Sequence, residues 1–503
     1  FTNASIGWEL SSSKYNTTAN TERGYLKDRG MTFAALKGED YSKYPKYFDW
    51  VIRNYPKYSK SLTNTTSFYL TLTYSYKDRY IFNVNSRADW SNAFGSRSNE
   101  KLFPVWSFSG RWNMTNDVVK NVSWINNLAL RVSYGIQGNM QNNQPTQLII
   151  NKGGYDSSKG GYISTVEKFP NPDLKWERAN QFDIGIDLSL WNRIHVTADY
   201  YHRKTSDLLY NVPIPSTSGF SSMLSNVGSV LNKGWELSIT GNIIDLNDLK
   251  IDATVNLSRN TNKIKELYND VQSITLKSGL GLSSYLKVGE SLNSRYALLA
   301  DGIIRTEEQL AAYRKIEATA KMGDEMYKDL DGDNQITVKD QVNIGTTDPK
   351  LIYGVALNIQ YKKWGISILG NGADDFVGGS SYLQISENQL NASTIGVPSK
   401  YAYERMWSPS NPNGTYPAAG ASNTHESDRV NSGWYYFVLK SMALNYDFGR
   451  NPFKAVKGIK GLSASLNFQN FITFSSQRGY NPENGDTSYP WIKSVSISVN
   501  AKF

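Results

Sequence analysis

Three aspartates at alternate positions, Asp329, Asp331 and Asp333, are the residues of this sequence with the clearest capacity to bind a metal. With Gln335 and Asp340 they match the spacing of a twelve-residue calcium loop, whose oxygen ligands occupy positions 1, 3, 5, 7 and 12. Carboxylates this close repel one another unless a cation neutralises them. The spacing therefore predicts a bound Ca²⁺ or Mg²⁺ that pins a loop, in a structural and not a catalytic role.

The same segment departs from the usual calcium loop at three positions. Asn334 stands at position 6, where glycine is usual, Gly332 stands at position 4, and Asp340 replaces the bidentate glutamate of position 12. Asp, Asn and Gly also favour tight turns that bind no metal. A metal-free turn is therefore the alternative interpretation.

The histidines carry no enzyme signature. The sequence has only His195, His202 and His425, and none has a partner at the spacing of a zinc site or of a nucleophile–base pair. His195 falls on the polar face of an alternating segment, where we interpret it as a lining residue. We therefore predict that the chain is not an enzyme.

Aromatic side chains in the polar inserts are candidate ligand-binding residues. Rings of Tyr and Trp can stack on sugars or hold peptides, but membrane interfaces and contacts to a partner protein select the same residues. The substrate-binding residues therefore stay open. The rings in question are Tyr382, Tyr401, Tyr403, Trp407, Trp434, Tyr435 and Tyr436.

Strict alternation of apolar and polar residues is the dominant pattern of the chain. Between Gln181 and Leu190 one face is wholly apolar and the other carries Asp183 and Asp187. A period of two is that of a β-strand. An acidic face opposite an apolar one is typical of a strand between lipid and a wet lumen, because the inner faces of a soluble sandwich pack into a dry core.

About fourteen such segments predict an all-β chain that forms a transmembrane antiparallel β-barrel. Short turns at 76–79, 191–193 and 361–364 alternate with long polar inserts, as in outer-membrane barrels. The chain also ends inside an alternating segment at Phe503, where the terminus of a soluble domain would usually fray. The predicted strands are 67–76, 79–89, 104–112, 127–135, 181–190, 193–204, 234–241, 250–260, 297–304, 351–361, 364–371, 437–448, 462–470 and 492–503.

Composition agrees with a barrel. Aromatic residues make up 13% of the 503 residues although the mean hydropathy is −0.49, and aromatic girdles with a polar lumen explain both values. No apolar run reaches the roughly 18 residues of a membrane-spanning helix.

The net charge of +9 is dispersed along the chain, so we predict solvated loops and a charged lumen and no nucleic-acid partner. Cysteine is absent, which excludes disulfides, and a start at Phe1 without a signal segment suggests a mature chain or a fragment.

Several longer strings follow one another from about residue 66 to the end. They are YKDRY at 76–80, LRVSYGIQGN at 130–139, NPDLKWE at 171–177, NKGWE at 232–236, GDEMYKDLDGD at 323–333 and GYNPE at 479–483. Each string is weak alone, but in this order they resemble the signatures of the SusC/RagA family of TonB-linked outer-membrane transporters. The last string departs from the family pattern, which more often has Asp before the proline.

The resemblance implies a barrel of about twenty-two strands around a plug domain. This chain would supply the later strands over 66–503, preceded by an extracellular loop or partial strand over 1–65, and the plug would lie outside it. Exposed sheet edges cannot persist in lipid. We therefore expect the remaining strands in a longer or separate polypeptide, with a self-closed barrel of about fourteen strands as the alternative.

The resemblance also implies a location and a set of partners. It places the chain in the outer membrane of a Gram-negative bacterium, with active import of a large nutrient, either a glycan or an oligopeptide. The implied partners are a SusD-like surface lipoprotein lid, the TonB system acting through the plug, outer-membrane lipid, and a second transporter–lid pair in a dimer. The competing hypothesis is a structural scaffold in a larger outer-membrane assembly, and a passive porin is a weaker third.

Overall fold

The computed structural model consists mainly of one antiparallel sheet of 14 strands. It describes residues 1–19, 25–33, 40–46, 57–92, 102–139, 149–156, 158, 160–168, 171, 173–220, 222–378, 400–421, 425–431, 433–449, 459–476, 481–483 and 491–503. The strands, in chain order, are β1 (Thr2–Ala19), β2 (Tyr25–Leu26), β3 (Thr32–Phe33), β4 (Lys57–Tyr76), β5 (Tyr80–Ser91), β6 (Leu102–Asn113), β7 (Ile125–Asn139), β8 (Ile149–Asp156), β9 (Gly161–Lys168), β10 (Glu177–Leu190), β11 (Ile194–Ser206), β12 (Leu209–Pro213), β13 (Ser222–Asn226), β14 (Ser229–Asp245), β15 (Leu249–Glu266), β16 (Ser273–Lys277), β17 (Ser284–Lys287), β18 (Ser294–Leu298), β19 (Ala300–Ile303), β20 (Glu325–Tyr327), β21 (Gln341–Thr346), β22 (Leu351–Tyr361), β23 (Trp364–Val377), β24 (Gly433–Gly449), β25 (Gly461–Ser475) and β26 (Ser494–Lys502).

Helices are few and short in the described residues. None is long and apolar enough to cross a lipid bilayer. The α-helices are Asp40–Lys43, Glu307–Tyr313 and Lys400–Arg405, and the 3₁₀ helices are Lys27–Arg29, Ser216–Ser218, Tyr268–Asp270 and Val338–Asp340.

The large sheet follows the order of the sequence. Its strands are β1, β4, β5, β6, β7, β10, β11, β14, β15, β22, β23, β24, β25 and β26, each antiparallel to the next. Within the described residues, β1 pairs only with β4 and β26 only with β25, so the sheet is open. The alternative of a self-closed barrel is therefore not the arrangement found here.

All but one of the predicted strands belong to this sheet. The exception, 297–304, falls on β18 and β19, which pair outside the sheet with β21 and β20. The prediction was wrong there because a short apolar run is buried equally well in a loop core, and Ala297, Leu298 and Ile304 are fully buried. The remaining sheet strand is β1.

Strand β1 occupies much of the interval expected to be a loop or partial strand. Its 18 residues pair continuously with β4, from Thr2 opposite Tyr74 to Ala19 opposite Lys57. Apolar alternation is confined to a few positions around Ile6 and Trp8, and the rest of the strand is polar. Backbone pairing with β4 therefore forms this strand despite its weak pattern.

The two ends of the sheet differ in their connections. At one end the turns are short, and Lys77 and Asp78 between β4 and β5 both have positive φ, which suits the right-handed twist of a hairpin. Some aromatic pairs lie at this end, including Trp124 with Trp191 at 5.6 Å and Trp364 with Tyr446 at 4.6 Å between ring centroids. These pairs resemble an interfacial girdle. The long inserts lie at the other end.

The two faces of the sheet differ in polarity. In β10 the apolar side chains of Phe182, Ile184 and Ile186 are exposed on one face, while Asp183 and Asp187 lie on the other. A soluble protein would rarely expose so regular an apolar surface. The apolar face is therefore the outer, lipid-facing surface, and the polar face is the inner wall.

Candidate functional site

Four charged residues on neighbouring strands form an ion-pair network on the inner wall. Arg111 of β6 and Arg131 of β7 both contact Asp187 of β10, at 2.7 and 3.0 Å. Arg131 also contacts Asp199 of β11 at 2.9 Å. The network of Arg111, Arg131, Asp187 and Asp199 thus links four strands, and alternating charge keeps it close to neutral.

The pair between Arg131 and Asp199 crosses an intervening strand. Gly185 of β10 is opposite Arg131 on one side and opposite Asp199 on the other. A Cβ atom at Gly185 would lie 2.0 Å from Oδ1 of Asp199 and 2.9 Å from Nη2 of Arg131. A side chain at this position would force the ends of the Arg131 and Asp199 side chains to shift, so glycine leaves the direct path of this ion pair open.

A cavity of about 530 Å³ extends from the network along the inner wall. Asp183 is held there by Ser133 at 3.0 Å and Gln181 at 2.9 Å. Mixed charges and amides can bind a polar solute or a polar protein surface. The charged and phenolic lining residues are Arg131, Asp183, Asp199, Tyr201, Arg203 and Glu236.

His195 lies on this inner face, as predicted. Its Nδ1 is 2.9 Å from the hydroxyl of Ser189, the residue directly opposite on β10. The contact is exposed and near the short turn 191–193. The arrangement suits a lining residue.

Residues of the last long loop also contact the wall. The carboxylate of Glu483 lies 2.6 Å from Nζ of Lys440 on β24 and accepts a hydrogen bond from Asn371 of β23 at 3.0 Å. Nζ of Lys440 is also 4.1 Å from the ring centre of Trp491. Glu483 belongs to the last family string, but nothing in that string identifies Lys440 as its partner. Gly479 and Tyr480 of the same string lie outside the described residues.

The aromatic candidates separate into buried and exposed rings. Trp434 is buried and stacks on Phe376 with centroids 5.5 Å apart, and Tyr436 meets Phe376 edge-on. By contrast, Tyr403 is 63% exposed and Tyr435 is also exposed. Trp434 therefore packs within the rim, while the two exposed tyrosines are free to contact solutes.

The other aromatic candidates have their own neighbours. Tyr401 carries the guanidinium of Arg405 over its ring at 3.8 Å and meets Tyr416 edge-on. Trp407 is half-buried beside Gly323 and Gly414. Tyr382 lies outside the described part of the chain.

The three aspartates of the predicted calcium loop do converge. Oxygen atoms of Asp329, Asp331 and Asp333 all lie within 4.8 Å of one another. Asp329 accepts hydrogen bonds from the backbone N–H groups of Gly332 at 2.7 Å and Asn334 at 2.8 Å. Three convergent carboxylates fit the oxygen preference of Ca²⁺ or Mg²⁺.

The two departures inside the loop have a conformational reason. Gly332 and Asn334 have φ of 75° and 61°, and Asn is one of the few non-glycine residues that tolerate this left-handed region. Gln335 donates its backbone N–H to Asp333 at 2.9 Å. Asn334 therefore takes the conformational place of the usual glycine.

Asp340 has a different position from the other predicted ligands. It is fully buried, and its two oxygens accept backbone N–H groups of Leu330 at 2.8 Å and Thr337 at 2.7 Å. Burial would raise the pKa of Asp340, but these hydrogen bonds outweigh it and lower the pKa below its ordinary value. Asp340 therefore closes the loop through hydrogen bonds, without a cation. The sequence pattern alone could not distinguish this role from that of a metal ligand.

A buried ion pair in the long inserts was not expected from the sequence. Glu325 is 1% exposed, and its two oxygens accept from Nε and Nη2 of Arg429 at 2.7 and 2.8 Å. The hydroxyl of Tyr327 donates to the same carboxylate at 3.3 Å. Burial, together with the charge of Glu325, raises the pKa of Tyr327 well above its ordinary value, so this hydroxyl stays a neutral donor.

Comparison with known proteins gives a consistent result. The family model for "TonB dependent receptor-like, beta-barrel" matches residues 2–314. TonB-dependent receptor P3 of Formosa agariphila is 27% identical over 472 residues, which cover 88% of this chain and 46% of that protein. TonB-dependent receptor SusC of Bacteroides thetaiotaomicron is 26% identical over 536 residues, covering 99% of this chain and 51% of that protein.

A solved structure shares the fold. The structure of the RagAB peptide transporter matches with a TM-score of 0.81 at 22% identity, covering 100% of this chain and 53% of that chain. The present chain thus spans about half the length of the curated relatives it matches.

Proposed function

The chain belongs to the TonB-dependent receptor-like β-barrel family, and we propose that it forms the later barrel strands of an energised importer of large nutrients. It is an outer-membrane protein, as members of this family are. The observation that carries the proposal is the wall itself, whose outer face is apolar and whose inner face carries charges and amides. Such a wall suits passage of a polar solute and supplies no chemical step.

The proposal includes a substrate class and partners. The substrate is a glycan or an oligopeptide. The similar RagAB structure is that of a peptide transporter, which is consistent with the oligopeptide. The partners are a SusD-like surface lipoprotein lid, the TonB system acting through a plug, and outer-membrane lipid. Two transporter–lid pairs would form a dimer. The remaining strands of a barrel of about twenty-two would complete the wall.

A bound cation is part of the same proposal. Asp329, Asp331 and Asp333, with Gln335, would hold Ca²⁺ or Mg²⁺, and Asp340 would close the loop around them. The convergence of the three carboxylates supports this assignment. The cation would stabilise the loop and take no part in transport chemistry.

Growth of a deletion strain tests the import function. The complete gene is deleted and restored, and growth is measured on a casein peptide digest and on starch oligosaccharides, with and without functional TonB. We expect growth on one of the two nutrients to need both the gene and TonB. Normal growth of the deletion strain on both, with the protein co-purifying in an outer-membrane assembly, would instead favour the scaffold hypothesis.

A further inference from the structure

The insert between β15 and β22, residues 267–350, folds into a compact unit that we call the loop module. Ile304, Leu310, Tyr313 and Ala320 form a buried apolar cluster in it. The helix Glu307–Tyr313 begins with a capping box between Thr306 and Gln309. This insert therefore has its own core, unlike a surface loop that lacks buried apolar contacts.

The loop module is fastened to the wall at two strands. The side-chain oxygen of Asn262 on β15 accepts hydrogen bonds from Ser291 Oγ at 2.8 Å and Leu292 N at 2.9 Å. Near β23, Lys350 and Asp375 form an ion pair at 2.9 Å. Close packing adds to this attachment, because a Cβ atom at Gly345 would lie 2.5 Å from Val377.

A second insert contacts the same module. Residues 425–431, between β23 and β24, are here called the clasp segment. The backbone N–H of His425 donates to the hydroxyl of Tyr327 at 2.7 Å, and Asp428 accepts from the backbone N–H of Ala300 at 2.8 Å. Ser427 pairs with Leu298 in a parallel β-bridge, and both residues are fully buried.

The clasp segment also carries the charged partner of Glu325. Arg429 binds Glu325 through two hydrogen bonds, and Ser427 donates to the same carboxylate at 3.2 Å. Glu426 accepts from the backbone N–H of Leu282 at 3.0 Å. Parting the two inserts would break all these contacts together, since successive clasp residues each bind the module.

We propose that the loop module and the clasp segment form one fixed cap on the extracellular rim, and that this cap stays closed during import. The proposal rests on the transport function proposed above. It follows from the density of direct contacts and from the burial of Glu325 and Ser427 between the two inserts. The movement that admits substrate therefore belongs to another part of the mouth.

Thiol labelling in living cells tests the fixed cap. The chain has no cysteine, so an introduced thiol is the only one in this part of the protein, and any cysteine elsewhere in the native polypeptide is first replaced by serine. The Ser427→Cys and Ala297→Cys variants place a thiol at positions that are 0% exposed, one in each insert. The Tyr403→Cys variant, at a position that is 63% exposed, is the accessible control. Each variant is made in the complete native polypeptide, and the probe is a membrane-impermeant maleimide coupled to polyethylene glycol.

We expect both buried variants to react at least about 100-fold more slowly than Tyr403→Cys, because labelling must wait for local opening. This should hold in energised cells, in cells treated with an uncoupler, and with casein digest or starch oligosaccharides added. Labelling of either buried variant at a rate near that of Tyr403→Cys in any of these conditions overturns the proposal. Reaction after denaturation verifies that the thiols are present.

Growth of the same strains separates this proposal from the import function. If the buried thiols stay protected while growth needs neither the gene nor TonB, import is rejected and the fixed cap stands. If growth depends on both but the thiols react, import stands and the fixed cap is rejected.

Discussion

Gly185 leaves room for an ion pair that spans two strand spacings. Arg131 and Asp199 lie on the strands to either side of it and meet at 2.9 Å. Glycine acts here through its small size and not through an unusual backbone angle, since the position lies within a regular strand. This small residue thus leaves the direct path of one ion pair on the inner wall open.

We predict that Gly185→Ala destabilises the barrel by up to about 1 kcal/mol, because the added Cβ displaces the ends of Arg131 and Asp199 and weakens their partly exposed ion pair. Heat stability of the folded species on a detergent gel measures the effect. Gly354→Ala on β22 is the matched control, because the nearest atom to its Cβ would be 3.9 Å away. Equal melting of the two variants would contradict the prediction.

Asp331 and Asp340 should respond differently to removal of their charge. If the loop binds a cation as proposed, Asp331→Asn should weaken that binding by about tenfold or more, since it removes one of the three proposed carboxylate ligands. Asp340→Asn should loosen the loop even without a cation, because Asp340 holds the N–H groups of Leu330 and Thr337. Terbium luminescence reports binding, and proteolysis in a chelator reports the loop itself.

The exposed Asp301→Asn variant is the control for this pair of changes. It should alter neither terbium binding nor proteolysis. Unchanged terbium binding by Asp331→Asn would support the metal-free turn instead.

His425 should make the clasp segment sensitive to mild acid. Burial lowers the pKa of His425 below its ordinary value of 6.5, against the opposing charges of Glu317 and Glu325. Below pH 6.5 the opened segment therefore binds a proton more readily than the closed one, and the stability present at neutral pH falls as the pH drops. Hydrogen-exchange protection of 425–431 should decrease between about pH 7.5 and pH 5.5.

The His425→Gln variant is the control for this pH effect. Its protection, corrected for intrinsic exchange, should change less over the same interval. A wild-type protein with constant protection would show that His425 stays neutral or solvated in both states.

At the scale of elements, the ion pair of Glu325 and Arg429 joins β20 to the clasp segment. Removing only one of the two residues leaves the other charge buried without a partner, which is destabilising. Arg429→Met leaves the buried carboxylate of Glu325 without its guanidinium, which should cost about 3–5 kcal/mol in local stability. Limited proteolysis of the folded protein should then cut near 425–431. The double variant Glu325→Met with Arg429→Met should recover most of the resistance, since no buried charge remains.

Lys400→Met is the matched control for this change. It breaks the exposed pair between Lys400 and Glu404, which lie 3.6 Å apart on a neighbouring helix. We expect wild-type resistance to protease. Equal sensitivity of Arg429→Met and Lys400→Met would mean that the buried pair does not hold the two inserts together.

At the scale of the whole molecule, both edge strands of the sheet, β1 and β26, need further strands to pair with. On β26 the outward Ile497 is 76% exposed, and the backbone of β1 pairs only with β4 in the described residues. Unpaired N–H and C=O groups cannot remain in hydrocarbon. Further strands must therefore meet both edges in the membrane.

We predict that the native polypeptide has a mass near twice the 56.6 kDa of this chain, in keeping with the length of its relatives. Intact-mass measurement with N-terminal sequencing of the purified membrane species tests this. A species of 56.6 kDa that begins at Phe1 would mean that the edges are completed by a second chain.

The sequence by itself determined the class of this protein and most of its wall. Period-two alternation locates strands such as β10 because one face contacts lipid and the other contacts water. The apolar or polar character of each residue therefore indicates the face on which it lies. The aspartate spacing at 329–333 similarly predicted a convergent group. These patterns depend only on residues that are close in sequence, so they can be recognised without knowledge of the long-range contacts.

Only the tertiary structure decided the long-range pairings. Arg131 with Asp199, and Glu325 with Arg429, join residues 68 and 104 positions apart, and no spacing rule connects them. The same reason explains why β18 and β19 were mistaken for wall and why β1 was underestimated. An apolar run shows that a segment is buried but not against what, and a polar edge strand is formed by the hydrogen bonds of its neighbour.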